Sequence, residues 1–151
     1  MPLAAVREPA IRFLVLLVGP TVTQGESDAW GASTGRGERD PGDLAAIEAE
    51  VRRQGPSGFD PLPSIRALRI PALWVYGGND LNVPTRLSVE RLDPLTREPG
   101  RDLSYVVFPK ANHGLVESEH GLAAEVERSS SFAPGLYPAI ETWLARRGLR
   151  G

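Results

Sequence analysis

The chain has 151 residues, 41% hydrophobic and 24% charged, with 17 basic against 19 acidic side chains and a formal net charge of −2. That is the length of one domain, and the composition is globular, not disordered. The absence of cysteine excludes disulfides, thiolate nucleophiles and zinc–thiolate centres, while no basic stripe interleaved with aromatics offers itself to nucleic acid.

Pro2 to Glu8 reads as the tail of a short helix, ended by Pro9. Ile11 to Val18 is a continuous apolar run broken only by Arg12, as expected of a strand covered on both faces in a parallel sheet. Stopped by Gly19-Pro20, it is too short to span a bilayer and lacks the order of a signal peptide. A soluble, cytoplasmic protein without membrane contact is the expectation. Gly19 to Asp40 is rich in Gly, Ser and Thr without periodicity, and reads as a long loop; Trp30 lies in it, as a substrate contact or a surface aromatic. Asp40 as N-cap and Pro41 at the first helical position then predict a helix with Leu44, Ile47 and Val51 on one face, stopped by Gly55-Pro56. Phe59 to Pro63 is extended by its prolines, and Ser64 to Leu68 has room for a turn or two of helix.

Residues 72–77 read as a buried strand entering a glycine turn, Gly77-Gly78-Asn79-Asp80. Asn82-Val83-Pro84 opens a helix bearing Leu87, Arg91 and Leu92 on one side, limited by Pro94. A second strand follows at 103–108, and Asn112-His113-Gly114 occupies the turn after it. Residues 115–131 form a polar loop with at most a turn of helix; His120 there reads as a solvated histidine, and Ser129-Ser130-Ser131 as loop and cap. Ala133-Pro134 introduces a last helix with Leu136, Ile140, Trp143 and Leu144 at helical spacing, ended by Arg146, Arg147 and Gly148; Trp74 and Trp143 fall on core faces. Strands alternating with helices predict an α/β architecture on a parallel sheet. Three strands leave an open edge beside residues 11–18.

In open α/β sheets functional groups gather beyond the carboxyl ends of strands, where Asp80 and His113 both fall. Alone, Asp80 reads equally as a turn-former and His113 as an exposed turn histidine. Together, at the ends of strands joined by one crossover helix, they match the last two members of a Ser…Asp…His relay, in which a carboxylate orients the imidazole that moves a nucleophile's proton. The nucleophile is not evident. Gly25-Glu26-Ser27-Asp28-Ala29 imitates a relaxed nucleophile turn, but Ser27 has no strand directly before it and two carboxylates beside it, so it is a weak candidate.

Phe59 to Gly114 resembles the C-terminal part of the α/β-hydrolase fold. The residues that carry the likeness are Asp60-Pro61, the strand Ile70-Pro71-Ala72-Leu73-Trp74-Val75-Tyr76-Gly77, the acid turn Asn79-Asp80 and the histidine turn Asn112-His113-Gly114, with Trp143-Leu144 in the closing helix. More closely, the chain resembles bacterial serine hydrolases of the acyl-peptidase or esterase type, in which a strand like Phe13 to Val18 follows the nucleophile and its helix. The resemblance implies a partial, three-layer α/β-hydrolase sheet lacking its N-terminal strands. Residues 1–151 then form a single partial domain, with an excursion at 20–58 and the acid- and histidine-bearing part at 59–151. It further implies Asp80 and His113 as catalytic residues, no cofactor and no metal, and a small acyl ester or peptide as substrate. The family's Gly-x-Ser-x-Gly turn and its oxyanion donors belong before Met1 in this alignment. The chain alone is therefore expected to be inactive or very weak. The alternative is a non-catalytic remnant or interaction module that associates through its open sheet edge.

Overall fold

A computed structural model of the chain describes residues 2–126, 128 and 131–149. Its centre is strand β2 (Ala72–Gly77), buried along its whole length. β2 lies between β1 (Leu14–Leu17) and β3 (Leu103–Phe108) in a parallel sheet of order β1-β2-β3. Leu14 pairs with Ala72 and Ala72 with Leu103, so all three strands run in step towards one end.

The two-residue period of β2 divides the core. Ala72, Trp74 and Tyr76 join Leu16, Ile65, Leu92 and Leu95 on one face, where α1 (Pro2–Arg7), α4 (Leu62–Ala67) and α5 (Thr85–Thr96) pack. Leu73 and Val75 point to the other face and meet Leu115, Leu136 and Trp143, the last two from α7 (Leu136–Ala145). The result is a helix–sheet–helix layering around an open sheet, as the alternation of strands and helices predicts.

The excursion differs from expectation. Residues expected as loop form α2 (Gln24–Thr34) and a 3-10 turn at Gly35–Gly37. α2 carries almost no apolar stripe, so periodicity missed it. Its signal is the capping box Thr23-x-x-Glu26: the Thr23 side chain accepts from the Glu26 amide, and the Glu26 carboxylate accepts from the Thr23 amide at 2.8 Å. At the far end Gly35 takes a left-handed conformation (φ 64°) and closes the helix. Trp30, expected at the surface or the mouth of a site, is instead buried with Val22, Val51 and Leu87.

α3 (Leu44–Gln54) starts later than Asp40-Pro41 predicts. Its N-cap is Asp43, whose carboxylate accepts from Ala45 and Ala46 N–H, and Gly42 at φ 75° turns the chain into it. The buried face is also rotated: Glu48 and Val51 are inside while Leu44 is exposed. Glu48 is tolerated there because Arg86 and Arg52 both donate to its carboxylate, and the Arg86 guanidinium above all holds its pKa below the usual range.

Two further boundaries move. β1 covers only the centre of the 11–18 run, because Val18 leaves extended geometry at φ 47°. α5 runs through Pro94 to Thr96, where proline sits in the last turn of the helix and does not end it. α6 (Ala123–Val126) is the short turn expected in the 115–131 loop. Ser129 and Ser130, read as part of a cap for the last helix, lie outside the described residues, and the observed N-cap of α7 is Gly135. No helix among the described residues is long and apolar enough to cross a membrane.

If the capping box is what makes α2 a helix, Thr23→Ala should lower the stability of the chain by about 1 kcal/mol in urea unfolding and reduce far-UV helicity. An unchanged midpoint would show that tertiary packing of Trp30 alone holds α2.

Candidate functional site

The turns that leave β2 and β3 lie against each other. A Cβ on Gly77 would stand 2.4 Å from the Asn112 carbonyl oxygen and 2.5 Å from that of Ala111. One on Gly78 would stand 2.4 Å from the Pro109 carbonyl oxygen. Both contacts are with backbone, so only glycine fits at the two positions. The backbones are joined directly, Gly78 N–H to Phe108 O at 2.8 Å and Asn79 N–H to Ala111 O at 2.9 Å.

This approach brings together the two residues singled out in the sequence, 33 positions apart. His113 Nδ1 is 2.9 Å from Asp80 Oδ2. The Asp80 side chain is 0% exposed, whereas that of His113 is 43% exposed. Asp80 Oδ1 accepts from the N–H groups of Asn82 (2.7 Å) and Val83 (2.8 Å), so the buried carboxylate is held by three donors. A carboxylate only accepts, and this fixes the neutral tautomer of His113 with its proton on Nδ1 and the Nε2 lone pair free. The hydrogen bond to Asp80 raises the His113 pKa, against the opposing effect of burial. Asp80 is the only hydrogen-bond partner that the described residues supply to this ring.

His113 itself sits on a tight hairpin. Ala111 and Glu117 form an antiparallel bridge, and the tip turns at Leu115, a non-glycine residue in the left-handed region (φ 55°). Leu115 is buried in the α7 side of the core, which pulls the tip inward. Asn112 caps the turn by accepting from Gly114 N–H at 2.9 Å.

Ser27 is not brought to this pair. It stands in the first turns of α2 and lines an apolar cavity of about 400 Å³ along β1, with Leu14, Leu17, Phe59 and Trp74, a lining that includes neither Asp80 nor His113. His120 is exposed, as a solvated histidine should be, yet its Nδ1 lies 3.1 Å from Glu125 Oε1. Glu117 precedes His120 at a spacing that on a helix would suit a metal, but these residues are loop, and among the described residues no group of three or more ligating side chains converges. Ser118 also binds Glu125, which helps hold that carboxylate's pKa down at about 2. Hydroxyl and imidazole thus meet the same carboxylate instead of each other. The cluster staples the loop after the hairpin and is no second relay.

No protein-family model matches the chain, and no curated protein does. A solved structure titled "AbyA5 Wildtype" aligns with it at a TM-score of 0.44 and 23% identity, over 95% of this chain and 41% of the other. The chain thus spans about two-fifths of that protein.

The pair should be visible in the pH dependence of stability. A histidine whose folded pKa lies above the ordinary value of 6.5 stabilises fully below about pH 6.5, and the contribution fades as pH rises through the folded value. The difference in unfolding free energy between the wild type and His113→Gln should therefore shrink from pH 5.5 to pH 8.5. A constant difference would mean that Asp80 does not favour the charged imidazole.

Proposed function

We propose that Asp80 and His113 are the acid and base of a serine-hydrolase relay acting on acyl esters or small peptides, and that the serine comes from outside the described residues. The observation that carries the reading is the contact between a fully buried, triply held carboxylate and a half-open imidazole at the carboxyl ends of adjacent parallel strands. Neither group on a surface would need such an arrangement. Here both Asp80 oxygens are engaged, and His113 meets Asp80 through Nδ1, which leaves Nε2 to exchange a proton.

In this reading a serine Oγ attacks the carbonyl carbon while Nε2 takes its proton. The imidazolium that forms is stabilised by its contact with Asp80. Collapse of the tetrahedral intermediate then expels the leaving group as Nε2 returns the proton, and water repeats the sequence on the acyl-serine. Donors for the oxyanion would come from the same neighbourhood as the serine. Ester or peptide as substrate class rests on the sequence resemblance to acyl-peptidases and esterases, since a fold does not choose a substrate.

The test uses the protein as produced from its natural locus and a fluorophosphonate probe, which reacts with activated serines. Labelling should map to a serine outside the described residues, and His113→Ala should slow it by at least about a hundredfold. A folded natural product that the probe does not label would overturn the proposal, as would labelling indifferent to His113.

One observation favours a second reading, association through the sheet. β1 has the composition of a central strand but among the described residues pairs on one side only, and Leu17 is 51% exposed beside the apolar cavity lined by Phe59 and Pro61. Light scattering should then find the isolated chain associated at micromolar concentration, and Leu17→Lys should make it monomeric. A monodisperse wild-type monomer counts against this reading.

A further inference from the structure

The hairpin that carries His113 has two legs. Asn112 N–H donates to Val116 O at 3.1 Å, and Ser118 N–H donates to Lys110 O at 2.8 Å, closing the legs on each other. Asn79, immediately before the acid, holds both. Its backbone N–H donates to Ala111 O on the first leg at 2.9 Å. Its side-chain Nδ2 donates to Ser118 O on the second leg at 2.7 Å and to Glu119 O just beyond at 3.2 Å. The chain then folds back over the same residue: a Cβ on Gly121, at φ 79°, would come within 2.1 Å of the Asn79 carbonyl oxygen.

We infer that Asn79 is the positioning residue of the site, a neutral clamp on both legs of the hairpin that sets the separation of His113 from Asp80. The inference rests on the relay reading of those two residues. The chemistry asks for asparagine in particular. The second leg presents two carbonyl oxygens, so the clamp must donate, and aspartate would place a carboxylate against them. Alanine or serine is too short to reach, and glutamine adds a methylene to a gap already closed at 2.7 Å. Nothing in the clamp ionises, so it holds His113 equally in the neutral and the charged state. The backbone bond alone ties the acid turn only to the first leg; the Asn79 side chain is what ties it to the second.

A residue that merely staples a loop would change the melting temperature and leave the imidazole alone; a positioning residue changes how His113 titrates. The measurement is the His113 ring titration by NMR in the full chain, with His120→Gln as background so that one imidazole remains. Lys110, Glu117 and Glu119 on the hairpin, and Glu125 beside it, are kept in every variant. Asn79→Ala should lower the His113 pKa by at least half of the drop that Asp80→Asn produces. Leu95→Ala, a core change at the far end of α5, should leave the titration unchanged despite its loss of stability. Asn79→Ser, polar but too short, should behave as alanine does and decides the matter if the alanine variant does not fold. A folded Asn79 variant with the wild-type titration overturns the inference. A wild-type titration in Asp80→Asn would instead remove the relay reading itself, and the inference with it.

Discussion

The site exists because two turns of backbone lie closer than any side chain at Gly77 or Gly78 would permit. Carbonyl oxygens of Pro109, Ala111 and Asn112 fill the space where their Cβ atoms would be. Parallel strands at ordinary spacing would leave their terminal turns apart, each solvated by water. With the glycines the second turn sinks against the first, the Gly78 and Asn79 amides donate to its carbonyls, and the carboxylate of one meets the imidazole of the other. Any substituted residue there must move backbone and not a flexible side chain, so the cost is paid by the whole arrangement.

Burial makes the contact more than a turn contact. A carboxylate with no exposed surface must find its hydrogen-bond partners within the protein, and Asp80 has two backbone N–H donors on one oxygen and His113 on the other. The excursion is tied to the segment around the acid. Thr34 donates to the Leu81 carbonyl next to it, and Glu48 accepts from Arg86 at the start of α5. Within α5, Thr85 donates to Gly77 O at 2.7 Å. The open side of the arrangement is the imidazole, and that is where a proton can pass.

The sheet is asymmetric in the same economical way. β2 is covered on both faces and both edges, while β1 offers an unpaired edge with apolar side chains around it. Backbone donors and acceptors on such an edge favour another strand over water when apolar surface is buried at the same time.

Some of this was legible in the sequence. Runs such as 72–77 and 103–108, of apolar and β-branched residues closed by glycine or proline, determine strands by themselves, and the structure places both at those residues. The order acid, helix, histidine put Asp80 and His113 at neighbouring strand ends, because a parallel sheet with a helical crossover leaves little choice. The excursion was not legible through periodicity: α2 is written in caps, Thr23, Glu26 and Gly35, and its burial of Trp30 depends on Val51 and Leu87, far away in the chain. The same holds for Glu48, polar in composition and buried in fact, whose partner Arg86 lies 38 positions on. Residue types and their spacing determined on which elements Asp80 and His113 stand. Only the tertiary structure decided how deep Asp80 is buried, which tautomer His113 takes and that Asn79 spans both legs of the hairpin, since each depends on contacts between segments whose separation no local pattern encodes.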